Sequence, residues 1–449
     1  MGWGCPASEA SRPRRVPRGW LVAVAAVTAL TLALAVHTRE RVLWRERTGQ
    51  SPAVINDFGR WLVMTPQFLT HHADYVNDDL PNPPLTLIVL APFSYLSPAD
   101  AQFVWVCAKA LMVVAIFTLC RRMVRAAGVQ LTAMAILLIV AVWFWPVIGD
   151  VQEGQTNLLM LLPLVCGLTL AQVGRPTTDW LAGVLVALAA AIKVTPLVFL
   201  PYFLLRRRWR VAAATVLGLA IWFLLVPGLA FGWAQNLRWF GQWHRIMIAP
   251  YITRGHVAYA GGQSLASVLS RTLRHVPPIT NGATGQALPY YLNVVDWPEP
   301  IVGWIVRAVL LAIVLVGIVW MGRPLLTLRS RRFVVEAGAL AAFMLWASER
   351  TWVPHYVTLV LTLFAAGMVL SDPTEPTTTR RRARNALIVA AGLMALTGDL
   401  GKAFGPDGNK ITRTLGVSLW SSVLLVAVIV RSGGAQTRST PTGLARRGS

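Results

Sequence analysis

The chain has 449 residues, of which 55% are hydrophobic and only 13% are charged. Soluble domains carry about 25% charged residues, so this composition excludes a set of soluble domains and indicates a polytopic membrane protein. The net charge of +22 would suit a nucleic-acid-binding protein. However, the basic residues stand in short clusters between apolar runs, as they do in cytoplasmic loops under the positive-inside rule. We therefore expect the lipid bilayer, and no nucleic acid, as a partner.

The N-terminus combines a basic tail, residues 1–19, with an apolar run from Trp20 to Val36. Ala33-Leu34-Ala35 resembles a signal-peptidase site, but the run exceeds the usual ~7–15 apolar residues of a signal peptide. We interpret it as an uncleaved signal anchor, with cleavage as the alternative. An external loop over residues 38–82 is predicted next. Residues 83–96 are apolar but too short to span, so they are predicted to be re-entrant or interfacial.

The rest of the chain alternates between apolar runs and basic clusters. A proline removes a backbone hydrogen bond and breaks a helix, so the run 180–205, with Lys193 and Pro196 near its middle, is predicted to form two short segments. Eleven spanning segments are predicted after the first, giving 12 in all: Ala99–Cys120, Leu131–Ile148, Leu158–Gln172, Trp180–Ile192, Pro196–Leu205, Val211–Val226, Ile301–Met321, Phe333–Ala347, Tyr356–Leu370, Ala386–Leu400 and Thr414–Val430.

The predicted fold class is thus an all-α polytopic membrane protein, with about 12 transmembrane segments, one re-entrant segment and external interfacial helices. The membrane domain covers residues 20–430, and both the basic tail and the C-terminal tail, 431–449, are predicted to be cytoplasmic. The second long external loop, 227–300, has aromatic residues suited to the outer leaflet. It also contains a helix that Ser264 is placed to cap. The sequence shows no internal repeat.

Polar residues at membrane depth are costly and usually functional, and here they gather on the predicted outer side. The chemistry is therefore expected on the outer face of a bacterial inner membrane. No GxGxxG, GxxxxGK[ST], HExxH or DxD motif is present in a suitable context, and no cysteine lies in a predicted external loop, so neither a nucleotide site nor a metal site is predicted. Carboxylates, cations and aromatic groups remain, which suit a lipid-linked substrate with a phosphate headgroup.

Several short polar or proline-containing segments stand out over residues 50–360. They are Asn56-Asp57-Phe58, PNPPL (81–85), GQTN (154–157), AAAIKVTP (189–196) followed by RRRWR, GGQSL (261–265) and WVPHYV (352–357). Together, and in this order, they resemble glycosyltransferase family 87, the polyprenol-phosphate-dependent enzymes with the multi-pass GT-C fold. GQTN combined with IKVTP is the most specific part. WVPHYV has one histidine where many members have two, and His71-His72 has no family counterpart.

The resemblance implies a GT-C-like fold and a sugar donor carried on polyprenyl phosphate. It also implies transfer to a hydroxyl of a glycolipid or polysaccharide acceptor on the outer face. The family resemblance favours mannose as the sugar, transferred with inversion to give an α-linkage. Neither a cofactor nor a metal is expected. The implied site comprises Asp57 as catalytic base, Lys193, Arg245 and His355 for the donor phosphate, and Glu153, Gln155, Asn157, Gln263 and Ser264 for substrate.

Each of these residues also has a structural explanation. Asp57 would cap a helix, Lys193 would extend to the interface, and Gln155 and Asn157 would satisfy a helix N-terminus. Asp150 and Glu153 are interpreted first as solvated loop carboxylates. Lys109 lies in mid-span, where extension to an interface does not explain it. The rival function is a secondary transporter or flippase, since broken helices with charges in mid-membrane are also typical of transporters.

Overall fold

The computed structural model describes residues 18–50, 55–71, 73–76, 79–253, 261–276, 291–322, 327–405 and 407–435. Within these ranges the chain is helical and contains no strand. Apolar segments in lipid must satisfy their own backbone hydrogen bonds, which a helix does within one segment. The predicted all-α class is confirmed for the described residues.

The N-terminal half begins with a long helix, followed by an amphipathic helix and then by apolar helices of very different lengths. A short 3₁₀ turn, Ala91–Tyr95, follows α3, and another, Thr195–Val198, precedes α8. In chain order the helices are α1 (Arg18–Arg47), α2 (Asn56–His71), α3 (Leu85–Leu90), α4 (Pro98–Ala126), α5 (Ala133–Glu153), α6 (Asn157–Ala171), α7 (Pro176–Ile192) and α8 (Phe199–Leu205).

The C-terminal half mixes long apolar helices with short ones. Single π turns at Ile221–Leu225 and His244–Ile248 interrupt it, as do 3₁₀ turns at Val353–Leu359 and Asp399–Phe404. Its helices are α9 (Trp209–Ala220), α10 (Val226–Phe231), α11 (Trp233–Trp243), α12 (Ala249–Thr253), α13 (Leu265–Leu273), α14 (Glu299–Met321), α15 (Arg331–Ala347), α16 (Val360–Ser371), α17 (Thr377–Thr397), α18 (Gly408–Thr414) and α19 (Val417–Ala435).

Five stretches of helix in the described part of the chain are long and apolar enough to cross a membrane. The pair Gly408–Thr414 and Val417–Ser432, bent by 52°, would make a sixth if it counts as one span. The predicted 12 spans and the re-entrant segment are therefore not confirmed, because several of the predicted segments form shorter apolar helices. The five are Pro98–Ala126, Ala133–Glu153, Trp209–Phe231, Glu299–Met321 and Val353–Ser371.

The apolar core is built where α7 packs against both α6 and α9, and where α17 packs against both α5 and α19. Small residues allow the closest approach. A Cβ on Gly183 would lie only 2.4 Å from the carbonyl oxygen of Val211, so α7 and α9 meet backbone to backbone at this point. This tight packing fixes the C-terminal end of α7, where Lys193 follows.

A second cluster, rich in aromatic residues, positions α2. The ring of Phe58 stacks on Trp105 of α4, with ring centroids 4.4 Å apart. Trp61 donates its indole N–H to the carbonyl oxygen of Asp79 at 2.9 Å. The amphipathic helix is thereby held against the membrane helices by one face, which places its first residues, Asn56 and Asp57, at the edge of the bundle.

Two segments predicted as loops are partly helical. Residues 38–82 are predicted as a loop, but α1 continues to Arg47 and α2 occupies Asn56–His71. Residues 149–157, between two predicted spans, are predicted as an external turn, but α5 continues to Glu153. The predicted break at Lys193 is confirmed, since its backbone is extended between α7 and the 3₁₀ turn. The predicted cap is also confirmed, because Ser264 Oγ accepts from the Ser267 amide at 3.1 Å.

A buried ionic network joins α8 and α15 beside the basic cluster 206–210. The fully buried carboxylate of Glu336 accepts from Tyr202 at 2.9 Å, from Arg206 Nε at 3.1 Å and from Arg332 Nε at 2.8 Å. Arg332 also donates to the carbonyl oxygen of Trp320 at 2.5 Å. All of the carboxylate's charge is therefore neutralised inside the protein.

Candidate functional site

The candidate site is built on the tight turn that joins α5 to α6. The helix α5 ends because Gly154 adopts a left-handed conformation, with φ +72°, that other residues rarely take. A Cβ at this glycine would lie 2.5 Å from side-chain atoms of both Ile55 and Phe58. Gly154 thus serves two purposes, since it ends α5 and lets the start of α2 lie directly on the turn.

Asp57 lies at this contact, on the first turn of α2. One carboxylate oxygen accepts from Arg60 Nη2 at 2.9 Å, and the other accepts from the side-chain amide of Gln155. Its side chain remains 21% exposed, so a ligand can still reach it. Burial raises the pKa of Asp57, and the nearby charges of Arg60 and Lys193 act in the opposite direction.

Beneath the turn, a buried ion pair joins α4 to α5. Lys109 Nζ contacts Asp150 Oδ2 at 2.5 Å and also donates to the carbonyl oxygens of Asp150 and Gln155, at 2.7 and 2.5 Å. Both side chains are essentially inaccessible. The interpretation of Asp150 as a solvated loop carboxylate was wrong, because α5 continues past it and Lys109 neutralises it inside the bundle.

Lys193 approaches the same turn from α7. Its Nζ donates to Asn157 Oδ1 at 2.6 Å, and the amide of Asn157 donates to Asp150 Oδ1 at 3.0 Å. The helix break turns the half-buried lysine inward. The chain of contacts therefore runs from Lys109 through Asp150 and Asn157 to Lys193, whose charge acts electrostatically on Asp57.

Two further side chains complete this arrangement. Glu153, the last residue of α5, accepts from Asn56 Nδ2 at 2.7 Å, next to Asp57. Asn82, in the PNPPL segment, donates to Thr156 Oγ1 at 2.9 Å and to the carbonyl oxygen of Ile192 at 2.8 Å. Asn82 thus connects the turn to the end of α7, a role that only its position in the PNPPL motif could have indicated.

The structure therefore brings together five of the nine predicted site residues. Asp57, Glu153, Gln155, Asn157 and Lys193 meet at the turn. Sequence reasoning omitted Asp150 and Lys109 from the predicted site. A lysine in mid-span was the one signal available for this pair, and its partner is 41 residues away in the chain.

Three other predicted residues gather in a neighbouring group. The buried amide of Gln263 donates to the carbonyl oxygen of Arg413 at 2.5 Å, and Tyr356 donates to the carbonyl oxygen of Gln263 at 2.9 Å. Ser264, the residue after Gln263, caps α13. His355 is buried one residue before Tyr356, and the charge of Lys193 acts on it electrostatically. GGQSL and WVPHYV are therefore adjacent in the fold.

Arg245 stands apart from both groups, exposed on the π turn that follows α11. Asp74 and Asp78, in the predicted loop 38–82, are alternatives to Asp57 for the role of base. Asp74 is about half exposed and pairs with Arg238 on α11, while Asp78 lies outside the described residues. In the part of the chain that the structure describes, no three His, Cys, Asp or Glu side chains are grouped to hold a metal ion.

Comparison with known proteins supplies independent evidence. A model described as glycosyltransferase family 87 matches residues 81–348, more than half of the chain. The chain is 30% identical over 197 residues to a polyprenol-phosphate-mannose-dependent alpha-(1-2)-phosphatidylinositol pentamannoside mannosyltransferase of Mycolicibacterium smegmatis, which covers 43% of this chain and 44% of that protein.

Two polyprenol-phosphate-mannose-dependent alpha-(1-2)-phosphatidylinositol mannoside mannosyltransferases are also similar. The protein of Mycobacterium tuberculosis is 25% identical over 299 residues, covering 64% of this chain and 61% of its own length. That of Mycolicibacterium smegmatis is 29% identical over 182 residues, covering 36% and 39%. The chain thus matches less than two thirds of the length of each of these relatives.

Proposed function

The chain belongs to glycosyltransferase family 87, and on that premise we propose that it is an integral-membrane glycosyltransferase that uses a polyprenyl-phosphate sugar as donor. The proposed sugar is mannose, and the proposed product carries it in α-linkage on a glycolipid or polysaccharide hydroxyl. The mannosyltransferase relatives support the sugar and the donor. Their names specify phosphatidylinositol mannosides as acceptors for those proteins, which favours a glycolipid acceptor here.

The observation that carries this proposal is the arrangement around Asp57. An accessible carboxylate is fixed by Gln155 and Arg60, and the ammonium group of Lys193 lies within electrostatic reach behind it. A glycosyl transfer from a monophosphate needs a base for the acceptor hydroxyl and a cation for the leaving phosphate. The proposal gives the first role to Asp57 and the second to Lys193, which both have contacts at the turn between α5 and α6.

The proposed reaction is one inverting displacement. The acceptor oxygen forms a bond to the anomeric carbon while the bond from that carbon to the phosphate oxygen breaks. The hydroxyl proton passes to Asp57, which acts as a general base. The electron pair of the broken bond remains on polyprenyl phosphate, and Lys193 stabilises the charge that develops there. A sugar monophosphate presents one phosphate, so side-chain cations suffice and a metal ion is not required.

Each remaining residue is assigned by its position. Glu153, Gln155 and Asn157 surround Asp57 and are proposed to orient the substrates. His355, on which the charge of Lys193 acts, is proposed to lie near the donor phosphate. Gln263 and Ser264 are proposed to shape the acceptor side by holding the GGQSL segment. Arg245, exposed on the π turn that follows α11, is proposed to contact the phosphate of the donor lipid at the membrane surface.

We propose that the site faces the outer side of a bacterial inner membrane and that both termini are cytoplasmic. The support is the distribution of charge, since arginine clusters such as 121–125, 206–210 and 380–384 lie at the opposite ends of the apolar helices. Polyprenyl-phosphate sugars present their headgroups at a membrane surface, where a half-buried carboxylate can reach them.

The test is direct. Membranes containing the protein are incubated with a panel of radiolabelled polyprenyl-phosphate sugars, and label is followed into other lipids and polysaccharide. We expect transfer from the mannose donor, and transfer about 10²–10⁴-fold slower in membranes with Asp57→Asn. If label stays on the donor but the intact donor crosses the bilayer of sealed vesicles, the transporter or flippase function is correct instead.

A further inference from the structure

A cavity of about 240 Å³ lies beside the C-terminal end of α5 and is lined by Glu153, the last residue of that helix. One wall is the last two turns of α5, and the other is formed by Trp352–Pro354 and by the segment from Thr397 to Arg413. This last segment lies outside residues 81–348, which the family model matches. One wall of the cavity therefore belongs to the region that the family model matches, and the other wall is formed by residues outside that region.

The cavity has groups that suit a sugar ring. Trp145 and Trp352 line it, and aromatic rings are suitable platforms for the apolar faces of sugars. Gly398 leaves room for Trp145, because a Cβ at residue 398 would lie 2.4 Å from the indole. Asn409 also lines the cavity, and its buried Oδ1 has no hydrogen-bond partner among the residues that the structure describes. An unsatisfied buried acceptor is costly, and a sugar hydroxyl would satisfy it.

The cavity also has charges that suit an anion. Lys402 and Arg413 line one side, opposite Glu153. Arg413 is fixed by its bond from Nε to the carbonyl oxygen of Thr397, at 2.9 Å, and its charge acts across the cavity on Glu153. Lys402 is exposed at the rim. The charged residues that line the space are thus two cations and one carboxylate.

We propose that this cavity binds the headgroup of the acceptor, and that this headgroup is an anionic glycolipid with a sugar and a phosphate. Sugar hydroxyls contact Glu153 and Asn409, and the phosphate contacts Lys402 and Arg413. The segment 397–413 thereby selects the acceptor. This inference rests on the proposed glycosyltransferase function, because it deepens that function by assigning the second substrate.

The position of Asp57 favours the acceptor, and not the donor, as the substrate that binds in this cavity. The donor phosphate must meet Lys193, which lies on the α7 side of the turn through its contact with Asn157. The cavity is connected to α2 by contacts, because Glu153 lines it and accepts a hydrogen bond from Asn56, the residue before Asp57. A general base must stand between the two substrates, and Asp57 lies next to this contact while the charge of Lys193 also acts on it.

The test measures binding and kinetics with detergent-purified full-length protein. The probes are phosphatidylinositol mannoside and a mannosyl diacylglycerol with the same number of mannoses but no phosphate. We expect Lys402→Glu to raise the Kd and KM for phosphatidylinositol mannoside about tenfold, because an attraction becomes a repulsion. The neutral mannolipid and the KM for the donor should be unchanged.

Lys410→Gln is the matched control. It removes a lysine from the same segment, but this lysine pairs with Asp407 at 2.8 Å and does not line the cavity. Asn409→Ala should weaken the binding of both mannolipids equally, since it removes a contact with the sugar. Thermal unfolding of each variant verifies that the segment remains folded.

Three results would overturn the proposal. If Lys402→Glu affected the charged and the neutral lipid equally, Lys402 would not contact the phosphate. If neither Lys402→Glu nor Asn409→Ala changed the binding of either lipid, the cavity would not be a lipid site. A raised donor KM with unchanged acceptor binding would assign the cavity to the donor. Failure of the glycosyltransferase function itself is distinguishable, because wild-type protein would then bind phosphatidylinositol mannoside without transferring sugar to it.

Discussion

Two buried ionic networks lie in the same helical bundle, and they differ in how completely their charges are satisfied. At the basic end, Glu336 takes donors from Tyr202, Arg206 and Arg332 and is fully buried. At the α5–α6 turn, Lys109 and Asp150 are buried just as deeply, but the contacts continue outward to Lys193 and to the accessible Asp57.

The difference indicates what each network does. A buried ion pair stabilises a fold only when its hydrogen bonds are complete, and Glu336 meets this condition with nothing left for a ligand. The network at the turn is complete only at its inner end, where Lys109 fixes the carbonyl of Gln155. Its outer end keeps a carboxylate within reach of solvent. We infer that the first network supports structure and that the second positions reacting groups.

The largest expected effect is at Asp57. Asp57→Asn keeps the shape and the hydrogen bond from Arg60 but removes the base, so we expect transfer to fall by about 10²–10⁴-fold. Donor binding should persist. Steady-state transfer and donor binding in purified protein measure the two effects. Neutralising Asp74, Asp78 and Glu153 in the same assay serves as comparison, and near-normal turnover by Asp57→Asn with one of those three inactive would move the base there.

The next effect in size is at Lys193. Lys193→Ala removes the cation beside the leaving phosphate, and loss of one such contact typically costs about 10²–10³-fold in kcat. Lys193→Arg should recover part of the rate, because it restores charge but not the geometry of an ammonium group. Protein level and thermal unfolding verify folding. An alanine variant with unchanged kcat would leave the lysine with a structural role alone.

Disrupting the network around Glu336 should lower the stability of the protein and leave its reaction rate unchanged. Glu336→Gln leaves Arg206 and Arg332 without a counter-charge in a buried place, which typically costs about 3–5 kcal/mol. We expect a large loss in unfolding free energy but a normal kcat per folded molecule. Glu299→Gln is the control, since that carboxylate is 55% exposed in its pair with Arg274. A reduced kcat in folded Glu336→Gln would contradict the division of roles.

A smaller effect is expected in the pH profile. A base works only when deprotonated, so activity is lost as pH falls through the pKa of Asp57, which burial raises above its ordinary value of 3.8. Arg60→Gln removes a charge that lowers this pKa, so the acid limb of kcat/KM should move to higher pH by less than about one unit, since Arg60 is partly exposed. Arg238→Gln should leave the limb in place, and a limb unmoved by Arg60→Gln would argue against Asp57 as the titrating base.

The smallest expected effect is that of metal removal. If Lys193 and its neighbours neutralise the donor phosphate, excess EDTA should leave the turnover number unchanged. Turnover is measured before and after chelation in the same membranes. Activity that disappears with EDTA and returns with Mg²⁺ or Mn²⁺ would show that the network at the turn needs a metal ion in addition to its lysine.

Hydropathy and helix-breaking residues were sufficient to predict much of the fold. The segment predicted at Ile301–Met321 is α14, Glu299–Met321, and the break expected at Lys193 is present. Such features are local, because an apolar run must satisfy its own backbone in lipid and Pro196 has no backbone N–H with which to continue α7. The motifs likewise indicated Asp57, Gln155, Asn157 and Lys193, and these residues do meet.

Only the tertiary structure decided how those residues are connected. Gln155 reaches Asp57 across 98 positions of sequence, and Lys109 reaches Asp150 across 41. No periodicity encodes such pairs, because they depend on how closely whole helices pack, as at Gly154 against Phe58. For the same reason Asp150 was mistaken for a solvated residue. The sequence determined which helices form and which polar groups they carry, while packing determined which of those groups are neutralised and which remain available for chemistry.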